Sequence, residues 1–372
     1  SQLREYKLAK NIFEKCLKIK PKDFLLLYNY AKFYHDQKIF DKAIKFYEES
    51  YKIEPKNNLS LYNVGNIYSF QNKFELAISA FQKSTKENPK NFLAYNNIAI
   101  AYKNLGDFDK ALTFYKEAIN VNNDYVDAHV NYSTMLMTLG KLEEGLEEYE
   151  WRKKSKSFSD YIDYRSLNLK SKVWNGEDIF NKKLFVIAEQ GIGDLIQFTR
   201  YLYLIKDEYK VQITLKIKSN KFSHFFDKND FNVISEKKFI PKHDYHVHMM
   251  SLLRIFFKKN KFYYKTINFL KTKKETHKKW KEKLNKVKGV KIGINCSTSS
   301  IHKNIPLNYF CDLADKYNYN FFILQKDLNS DQLNKISNNK NIFYFKDLDS
   351  SEKAFIDTIE LINSLDLVIT AD

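Results

Sequence analysis

The amino-acid sequence predicts an α-helical solenoid followed by two α/β domains with parallel sheets. Three observations support this fold class. A helical pattern recurs every 34 residues over residues 1–157, and short apolar strands alternate with helices from residue 183 onward. A lysine-rich helical stretch at 271–288 separates two such alternating blocks. With 372 residues, the chain is long enough for two or three domains that each bury a core.

Five columns of residues, each spaced by 34 positions, define the repeat. The prolines are Pro21, Pro55 and Pro89; the small residues are Ala9, Ala43, Ala77, Ala111 and Gly145, and Cys16, Ser50, Ser84 and Ala118; the aromatics are Phe13, Tyr47, Phe81, Tyr115 and Tyr149, with Tyr34, Tyr68 and Tyr102 on the preceding helices. Small residues let paired helices approach, and aromatic residues fill the space between them. Proline closes each unit because it cannot continue a helix.

This pattern resembles that of tetratricopeptide repeats, as one half-repeat followed by four full ones over residues 1–157. One helix pair cannot bury its apolar face alone, so the units are expected to stack into a solenoid. The resemblance implies that a peptide or partner protein binds in the groove of the solenoid. The alternative is that the repeats only scaffold or dimerise the chain. The pattern decays after Trp151, so residues 158–182 are predicted to form a cap and linker.

The second part of the chain has the pattern of an open parallel sheet. Short, continuous apolar runs are typical of strands that are buried on both faces. They lie at 183–188, 211–217, 231–235, 245–249, 290–296, 320–325, 341–345 and 366–370. Helical patterns alternate with them, which predicts a Rossmann-like domain over 183–270, a linker helix over 271–288 and a second Rossmann-like domain over 289–372.

The net charge of +17 invites a nucleic-acid interpretation, but the cations are nearly all lysine. Proteins that recognise nucleic-acid bases or hold phosphates favour arginine, whose planar guanidinium group makes bidentate hydrogen bonds to them. We therefore predict no nucleic-acid partner. A basic surface of this kind remains compatible with anionic ligands or with an acidic membrane surface.

The three cysteines Cys16, Cys296 and Cys311 have neither the spacing of a disulfide framework nor that of a zinc site. This predicts a reducing, cytoplasmic setting, which includes the inner face of a membrane. No apolar run approaches the roughly 20 residues that a membrane-spanning helix needs, so no transmembrane segment is predicted.

The turn "EQGIGD" at 189–194 directly follows the first predicted strand of the second part. In open parallel sheets, ligands bind beyond the carboxyl ends of the strands. Gly191 and Gly193 permit positive φ and close approach of a substrate to the backbone. Asp194, in the first turn of the next helix, would be held in its ionised form and can act as a general base on a hydroxyl. The alternative is that Asp194 only caps the helix and the glycines only form the turn.

The stretch "AEQGIGDLIQFTRYL", preceded by "YEWR" and "VWNGEDIFNKKL", resembles bacterial proteins that join tetratricopeptide repeats to a glycosyltransferase domain. That domain is similar to the heptosyltransferases of glycosyltransferase family 9, which have the two-Rossmann GT-B fold. The resemblance implies an inverting, metal-independent glycosyltransferase that moves a sugar from a nucleotide-sugar to a hydroxyl acceptor. It implies Asp194 as the catalytic base, and Gln190, Gly191 and Gly193 as the acceptor-side loop.

A second stretch, "GINCSTSSIHKNIP" at 293–306, carries the residues expected to bind the nucleotide-sugar. Thr298, Ser299, Lys303 and Pro306 fit the heptosyltransferase spacing of a hydroxyl pair, a lysine and a proline. Hydroxyls and backbone amides at a helix start can hold a diphosphate, and a lysine can neutralise its developing charge. No metal and no further cofactor is therefore predicted. The alternative is a polar loop with one solvated lysine.

Two departures from the family weaken the resemblance. Asn295-Cys296 and Asn304-Ile305 stand where many relatives have a tryptophan and an arginine–serine pair. The chain also ends at Asp372, the first residue of the family's other donor loop. Asp372 is expected to contact the sugar, and we expect that the second domain is incomplete because the sequence is truncated. The competing hypothesis is a non-catalytic repeat scaffold with a degenerate glycosyltransferase-like domain; a peptide-binding regulator that senses nucleotide-sugars is a third.

Two other sets of residues are candidates for a chemical site. His246 and His248 lie on one face of a predicted strand, with His243 nearby but no clear third ligand for a metal. Cys296 has no flanking histidine and aspartate that would activate it as a nucleophile. Neither set is assigned a catalytic or metal-binding role.

Overall fold

The computed structural model describes residues 2–56, 59–156, 158, 169–189, 191–226, 230–235, 240–259, 270, 272, 274–296, 304–337, 339–350 and 355–371. The chain divides into two compact units. The repeat unit comprises Ser1–Asn168 and Leu253–Lys261, and the α/β unit comprises Leu169–Leu252 and Phe262–Asp372. Within the described residues, no helix is both long enough and apolar enough to span a bilayer.

The repeat unit is built from antiparallel helix pairs that follow one leading helix. The helices are α1 (Gln2–Ile19), α2 (Phe24–Asp36), α3 (Phe40–Ile53), α4 (Leu59–Phe70), α5 (Phe74–Glu87), α6 (Phe92–Asn104), α7 (Phe108–Val121), α8 (Val126–Thr138) and α9 (Leu142–Glu148). A 3₁₀ helix, Tyr149–Lys154, continues from α9. The predicted half-repeat followed by four full repeats is thus confirmed as a helical solenoid.

The small and aromatic columns supply the core of the repeat unit, whereas Pro21, Pro55 and Pro89 are exposed at the ends of the units. Ala43, Ala77 and Ala111 are fully buried, and Phe81 and Tyr115 fill the space beside them. Burial raises the pKa of Tyr115, since the interior disfavours the phenolate. These contacts bury the apolar face that a single helix pair would expose.

Side-chain caps set where several helices begin. Asp23, Asn91 and Asp107 each accept a hydrogen bond from the backbone N–H three residues later, at 3.0, 3.1 and 3.2 Å. Each cap satisfies an N–H group that has no partner within the helix. The caps recur where short turns join successive helices, so the turn sequences help to fix the helix register.

The last repeat departs from the alanine column for a packing reason. A Cβ atom at Gly145 would lie 2.7 Å from Cγ of Met137, which is too close for an alanine. Beyond α9, the ring of His129 stacks on Trp151 with centroids 3.7 Å apart, and its Nδ1 lies 2.6 Å from Oε2 of Glu148. The final turn is therefore fixed by polar and aromatic contacts.

Glu150 is the charged centre of this final turn. Burial opposes its ionisation, but Lys153 and Arg152 outweigh this effect and lower the pKa of Glu150 from 4.5 to about 2. Because the folded pKa lies below the unfolded value, the resulting stability is present above pH 4.5 and is lost as the pH falls through 2.

We expect Glu150→Gln to lower the free energy of unfolding at pH 7 by about 1–2 kcal/mol, a figure reduced for the partial solvation of the carboxylate. Urea unfolding at several pH values measures this. The difference from wild type should shrink steadily between pH 4.5 and pH 2. Glu143→Gln, on the exposed side of α9, is the control and should change little. A deficit for Glu150→Gln that does not vary with pH would contradict the ionic origin.

The first sheet of the α/β unit contains five parallel strands in the order β1-β5-β2-β3-β4. They are β1 (Lys172–Val173), β2 (Lys183–Ile187), β3 (Gln212–Lys216), β4 (Asn232–Ile234) and β5 (Tyr245–His248). Helix α10 (Ile192–Tyr209) follows β2, and α11 (Ser251–Lys258) follows β5. The sequence interpretation assigned the region of β1 to a linker, whereas the structure pairs it with β5 and buries the neighbouring Trp174 and Ile179.

The second sheet contains four parallel strands in the order β8-β7-β6-β9. They are β6 (Lys291–Asn295), β7 (Asn320–Ile323), β8 (Ile342–Tyr344) and β9 (Leu367–Thr370); the helices are α12 (Lys274–Leu284), α13 (Leu307–Tyr317), α14 (Ser330–Ile336) and α15 (Ile356–Asn363). Trp280 of α12 is buried and donates its indole N–H to Oδ1 of Asp357, 2.6 Å away. The prediction of parallel α/β sheets is confirmed, and the GT-B arrangement stays a prediction.

Candidate functional site

The first helices of the four full repeats carry a periodicity that the sequence interpretation missed. Asparagine occupies the equivalent position of α2, α4, α6 and α8. These residues are Asn29, Asn63, Asn97 and Asn131, and we call them the asparagine column. Their 34-residue spacing is visible in the sequence, but the column lies at the surface and has no role in the core. We call the surface formed by these four helices the first-helix face.

The amides of the asparagine column connect neighbouring first helices. Each donor hydrogen bond reaches the helix of the preceding repeat. Nδ2 of Asn63 donates to Oη of Tyr28 at 3.0 Å, Nδ2 of Asn97 to Oδ1 of Asn66 at 2.9 Å, and Nδ2 of Asn131 to Oδ1 of Asn96 at 3.1 Å. The side chains of the column are thereby held in a fixed order across the repeats.

A carboxamide presents both a donor and an acceptor, as a peptide group does. Each one has two N–H protons and a carbonyl oxygen with two lone pairs. The bond from Asn63 or Asn131 to the preceding first helix uses only part of this capacity. Asn97 donates two bonds, to Tyr62 at 3.2 Å and to Asn66, and accepts one from Nδ2 of Asn96 at 3.3 Å, which leaves one lone pair of its Oδ1. Asn63, Asn97 and Asn131 are half-buried and Asn29 is exposed, so the column lies at the surface. A row of such groups can bind the backbone of an extended peptide, whose N–H and C=O groups lack internal partners.

A second candidate site lies at the carboxyl ends of β2 and β5, which are neighbours in the first sheet. Glu189 follows β2 and is 1% exposed; His248 ends β5 and is 3% exposed. Nδ1 of His248 lies 2.9 Å from Oε2 of Glu189, and the N–H of Met250 donates to Oε1 at 3.1 Å. The buried carboxylate thus joins the ends of two strands directly before the "GIGD" turn. Glu189 had not been singled out, because its partner is remote in sequence.

Asp194 lies in the first turn of α10, at the edge where ligands bind to parallel sheets. Its Oδ2 accepts a hydrogen bond from the N–H of Gly191 at 3.0 Å, so the carboxylate caps the helix. Gly191 does not use the positive φ that a glycine permits, because its φ is −79°, as in the extended residue before a helix. Gly193 is a helical residue.

The space around the two glycines bears on the ligand hypothesis. Among the described residues, a Cβ atom at Gly193 would meet nothing within 4 Å, and one at Gly191 would meet only Oδ2 of Asp194, at 3.5 Å. Packing within the described chain therefore requires a glycine at neither position. Open space above the backbone is what close approach of a ligand would need.

Several predicted site residues lie outside the described residues. They are Gln190 of the acceptor-side loop and Thr298, Ser299, Lys303 and Asp372 of the donor site. The ends of the donor loop are described: the N–H of Ile305 donates to the C=O of Cys296 at 2.9 Å, at the carboxyl end of β6. Pro306 then precedes α13. The assignment of these residues stays a prediction.

The structure describes part of the surroundings of the histidines and of Cys296. Nδ1 of His246 lies 2.8 Å from Oγ of Ser171, and His248 contacts Glu189 as described. In the described part of the chain, no three His, Cys, Asp or Glu side chains are grouped as metal ligands would be. Burial, with a smaller effect of Cys311, raises the pKa of Cys296 to about 11, which disfavours the nucleophilic thiolate.

Comparison with known proteins supports the repeat assignment. Residues 92–125 match one model of the tetratricopeptide repeat, and residues 1–23, 25–57 and 60–91 match another. The first 125 residues therefore contain tetratricopeptide repeats. The pair α8 and α9 continues them in the structure beyond the matched residues.

Solved structures with likeness to the chain include MamA, at 20% identity and a TM-score of 0.37 over 40% of this chain and 88% of that one. MamA from Desulfovibrio magneticus RS-1 is 16% identical, with a TM-score of 0.34 over 41% of this chain and 97% of that one. YrrB, described as a TPR protein with an unusual peptide-binding site, is 18% identical, with a TM-score of 0.35 over 42% and 80%. No curated protein sequence matches the chain.

Proposed function

We propose that the repeats bind an extended segment of a partner protein across the first-helix face. The observation that carries this proposal is the asparagine column, which recurs in four successive repeats and of which Asn63, Asn97 and Asn131 each bond to the preceding first helix. An extended peptide would exchange its hydration for hydrogen bonds to these amides. Because the amides are already held by neighbouring helices, less side-chain entropy would be lost on binding. The chain is therefore primarily a protein-interaction molecule.

Asn97→Ala in the full-length chain tests this proposal, because Asn97 sits between two first helices and contacts Asn66. A peptide array would select ligands, and fluorescence anisotropy would measure their affinity. We expect Asn97→Ala to weaken binding about tenfold, the effect of losing one well-placed hydrogen bond from a peptide N–H to Oδ1 of Asn97.

Asn120→Ala is the matched control for this experiment. It removes an exposed asparagine from α7, a second helix, and should leave the affinity unchanged. Thermal unfolding of both variants separates loss of binding from loss of fold. Equal affinity of Asn97→Ala and wild type for every selected peptide would exclude the asparagine column as the binding element.

We further propose that the α/β unit is a metal-independent glycosyltransferase, with the repeats recruiting the acceptor or a partner protein. Support comes from the resemblance of the "GIGD" turn to heptosyltransferases and from the open space around Gly191 and Gly193. Asp194 would deprotonate the acceptor hydroxyl, while Thr298, Ser299 and Lys303 would hold the diphosphate of the nucleotide-sugar.

Release of nucleoside diphosphate from a panel of nucleotide-sugars, with hydroxyl acceptors present, tests the enzymatic proposal. Thermal shift with the same panel measures binding independently of turnover. Stabilisation with turnover supports a transferase. If no sugar in the panel gives either stabilisation or turnover, the result favours the competing hypothesis of a non-catalytic scaffold.

A further inference from the structure

The first-helix face carries a second column, four residues before the asparagine column. Leucine occupies this position in the first three full repeats, and aspartate in the fourth. The residues are Leu25, Leu59, Leu93 and Asp127. The leucines are 54%, 51% and 38% exposed, and Asp127 is also exposed. Residues four apart lie on the same side of a helix, so this leucine column runs alongside the asparagine column.

The spacing of the leucine column is set by the packing of the repeats. Neighbouring first helices are in direct contact, as the bond from Asn97 to Asn66 shows. Packed helices lie about 8–10 Å apart. An extended peptide in the polyproline II conformation rises about 3.1 Å per residue and completes one turn every three residues, or about 9 Å. Side chains at every third position of such a peptide would therefore meet successive leucines.

Asp127 adds a charge at the end of this apolar row. It lies in the first turn of α8, at the position that the leucines take in α2, α4 and α6. A ligand that continued across the fourth repeat would place its next side chain beside this carboxylate. A basic side chain would be favoured there and an acidic one would be repelled.

We infer that the leucine column selects an extended peptide with apolar side chains at three positions spaced by three residues, followed at the same spacing by a lysine or arginine. This inference rests on the proposed peptide-binding function and names its ligand class. The asparagine column would bind the peptide backbone, which is common to all sequences. The leucines and Asp127 would read the side chains and give the face its specificity.

The experiment uses the full-length chain and synthetic twelve-residue peptides. The first peptide has leucine at positions 1, 4 and 7 and arginine at position 10, with alanine, glutamine and proline elsewhere. A second peptide has the same composition with leucines at every second position, and a third has glutamate in place of arginine. A fourth peptide has the sequence of the first in reverse order, so that the direction in which the ligand crosses the repeats is measured. Fluorescence anisotropy gives the affinities.

We expect the first peptide or its reverse to bind at least about tenfold more tightly than the second, as loss of a buried leucine contact would cause. It should also bind more tightly than the third, because Asp127 repels a glutamate. Leu59→Ala should weaken the preferred peptide about tenfold. The control Leu76→Ala removes a leucine of equal exposure, 50%, from α5 and should have no effect. Asp127→Lys should reverse the preference between arginine and glutamate, whereas Asp109→Lys on α7 should not.

The outcomes separate this inference from the function on which it rests. If binding depends on Asn97 but the affinity is the same for every spacing of the leucines in the peptide, the inference alone is overturned. Unchanged affinity in Leu59→Ala would also overturn it. Failure of all peptides to bind, here and in the array, would overturn both the inference and the proposed function.

Discussion

Replacing Gly65 by alanine is expected to lower the free energy of unfolding by about 1–2 kcal/mol. Gly65 lies buried in α4, and a Cβ atom there would come within 2.5–2.8 Å of three ring atoms of Phe81. Phe81 is itself fully buried, so its ring has little room to move. Alanine improves helix propensity by only about 1 kcal/mol, which does not offset a clash of this size.

This expectation runs against what comparison of the repeats alone would suggest. Ala31 and Ala99 occupy the equivalent position of α2 and α6, so alanine at 65 resembles a change to the common residue. Such changes are frequently stabilising. The change is expected to be destabilising at position 65, because the Phe81 ring occupies the space that a methyl group would need.

Urea denaturation of the full-length chain measures the effect of Gly65→Ala. The double variant Gly65→Ala with Phe81→Leu provides the control, since removal of the ring relieves the clash and should recover part of the loss relative to the sum of the single variants. Additive effects of the two substitutions, or no loss in Gly65→Ala, would contradict the close contact.

Replacing Asp194 by asparagine is expected to reduce sugar transfer at least about a hundredfold, as loss of a general base does. An asparagine can still accept the hydrogen bond from Gly191 through its Oδ1, so the helix cap is retained. The amide cannot take a proton from an acceptor hydroxyl. Nucleotide-sugar affinity should therefore change less than twofold.

Initial rates of nucleoside diphosphate release, together with thermal shift, test the role of Asp194. Asp207→Asn is the control: it makes the same chemical change at an exposed position near the end of α10. Turnover that persists in Asp194→Asn would show that this aspartate is a helix cap and not a base. A loss of nucleotide-sugar binding in that variant would instead show that Asp194 contributes to binding of the nucleotide-sugar before the reaction.

The regular parts of the fold were readable from the sequence, because each follows from a local pattern. The 34-residue columns predicted the helix pairs, and the eight apolar runs coincide with β2 to β9. One short strand is not predicted. β1 has two residues, which is too few for a strand period to be recognised.

The candidate sites were readable only in part. The "GIGD" turn was found from its place after an apolar strand, whereas the pair of Glu189 and His248 depends on strand order. Nothing local indicates that β5 lies beside β2, since β3 and β4 come between them in sequence. The asparagine column is present in the sequence, but its residues lie at the surface, whereas the small and aromatic columns that predict the helix pairs are largely buried.

Helix α11 has a consequence for the synthesis of the protein. Apart from its first two residues it belongs to the repeat unit, although it is encoded after the first sheet. Arg254 and Lys258 contact Glu147 at 3.4 and 2.5 Å, across a sequence separation of 107 residues for Arg254. On the ribosome, the acidic end of the solenoid emerges well before these cations. Glu147 of the nascent repeats therefore gains these two cationic partners only after more than a hundred further residues have been translated.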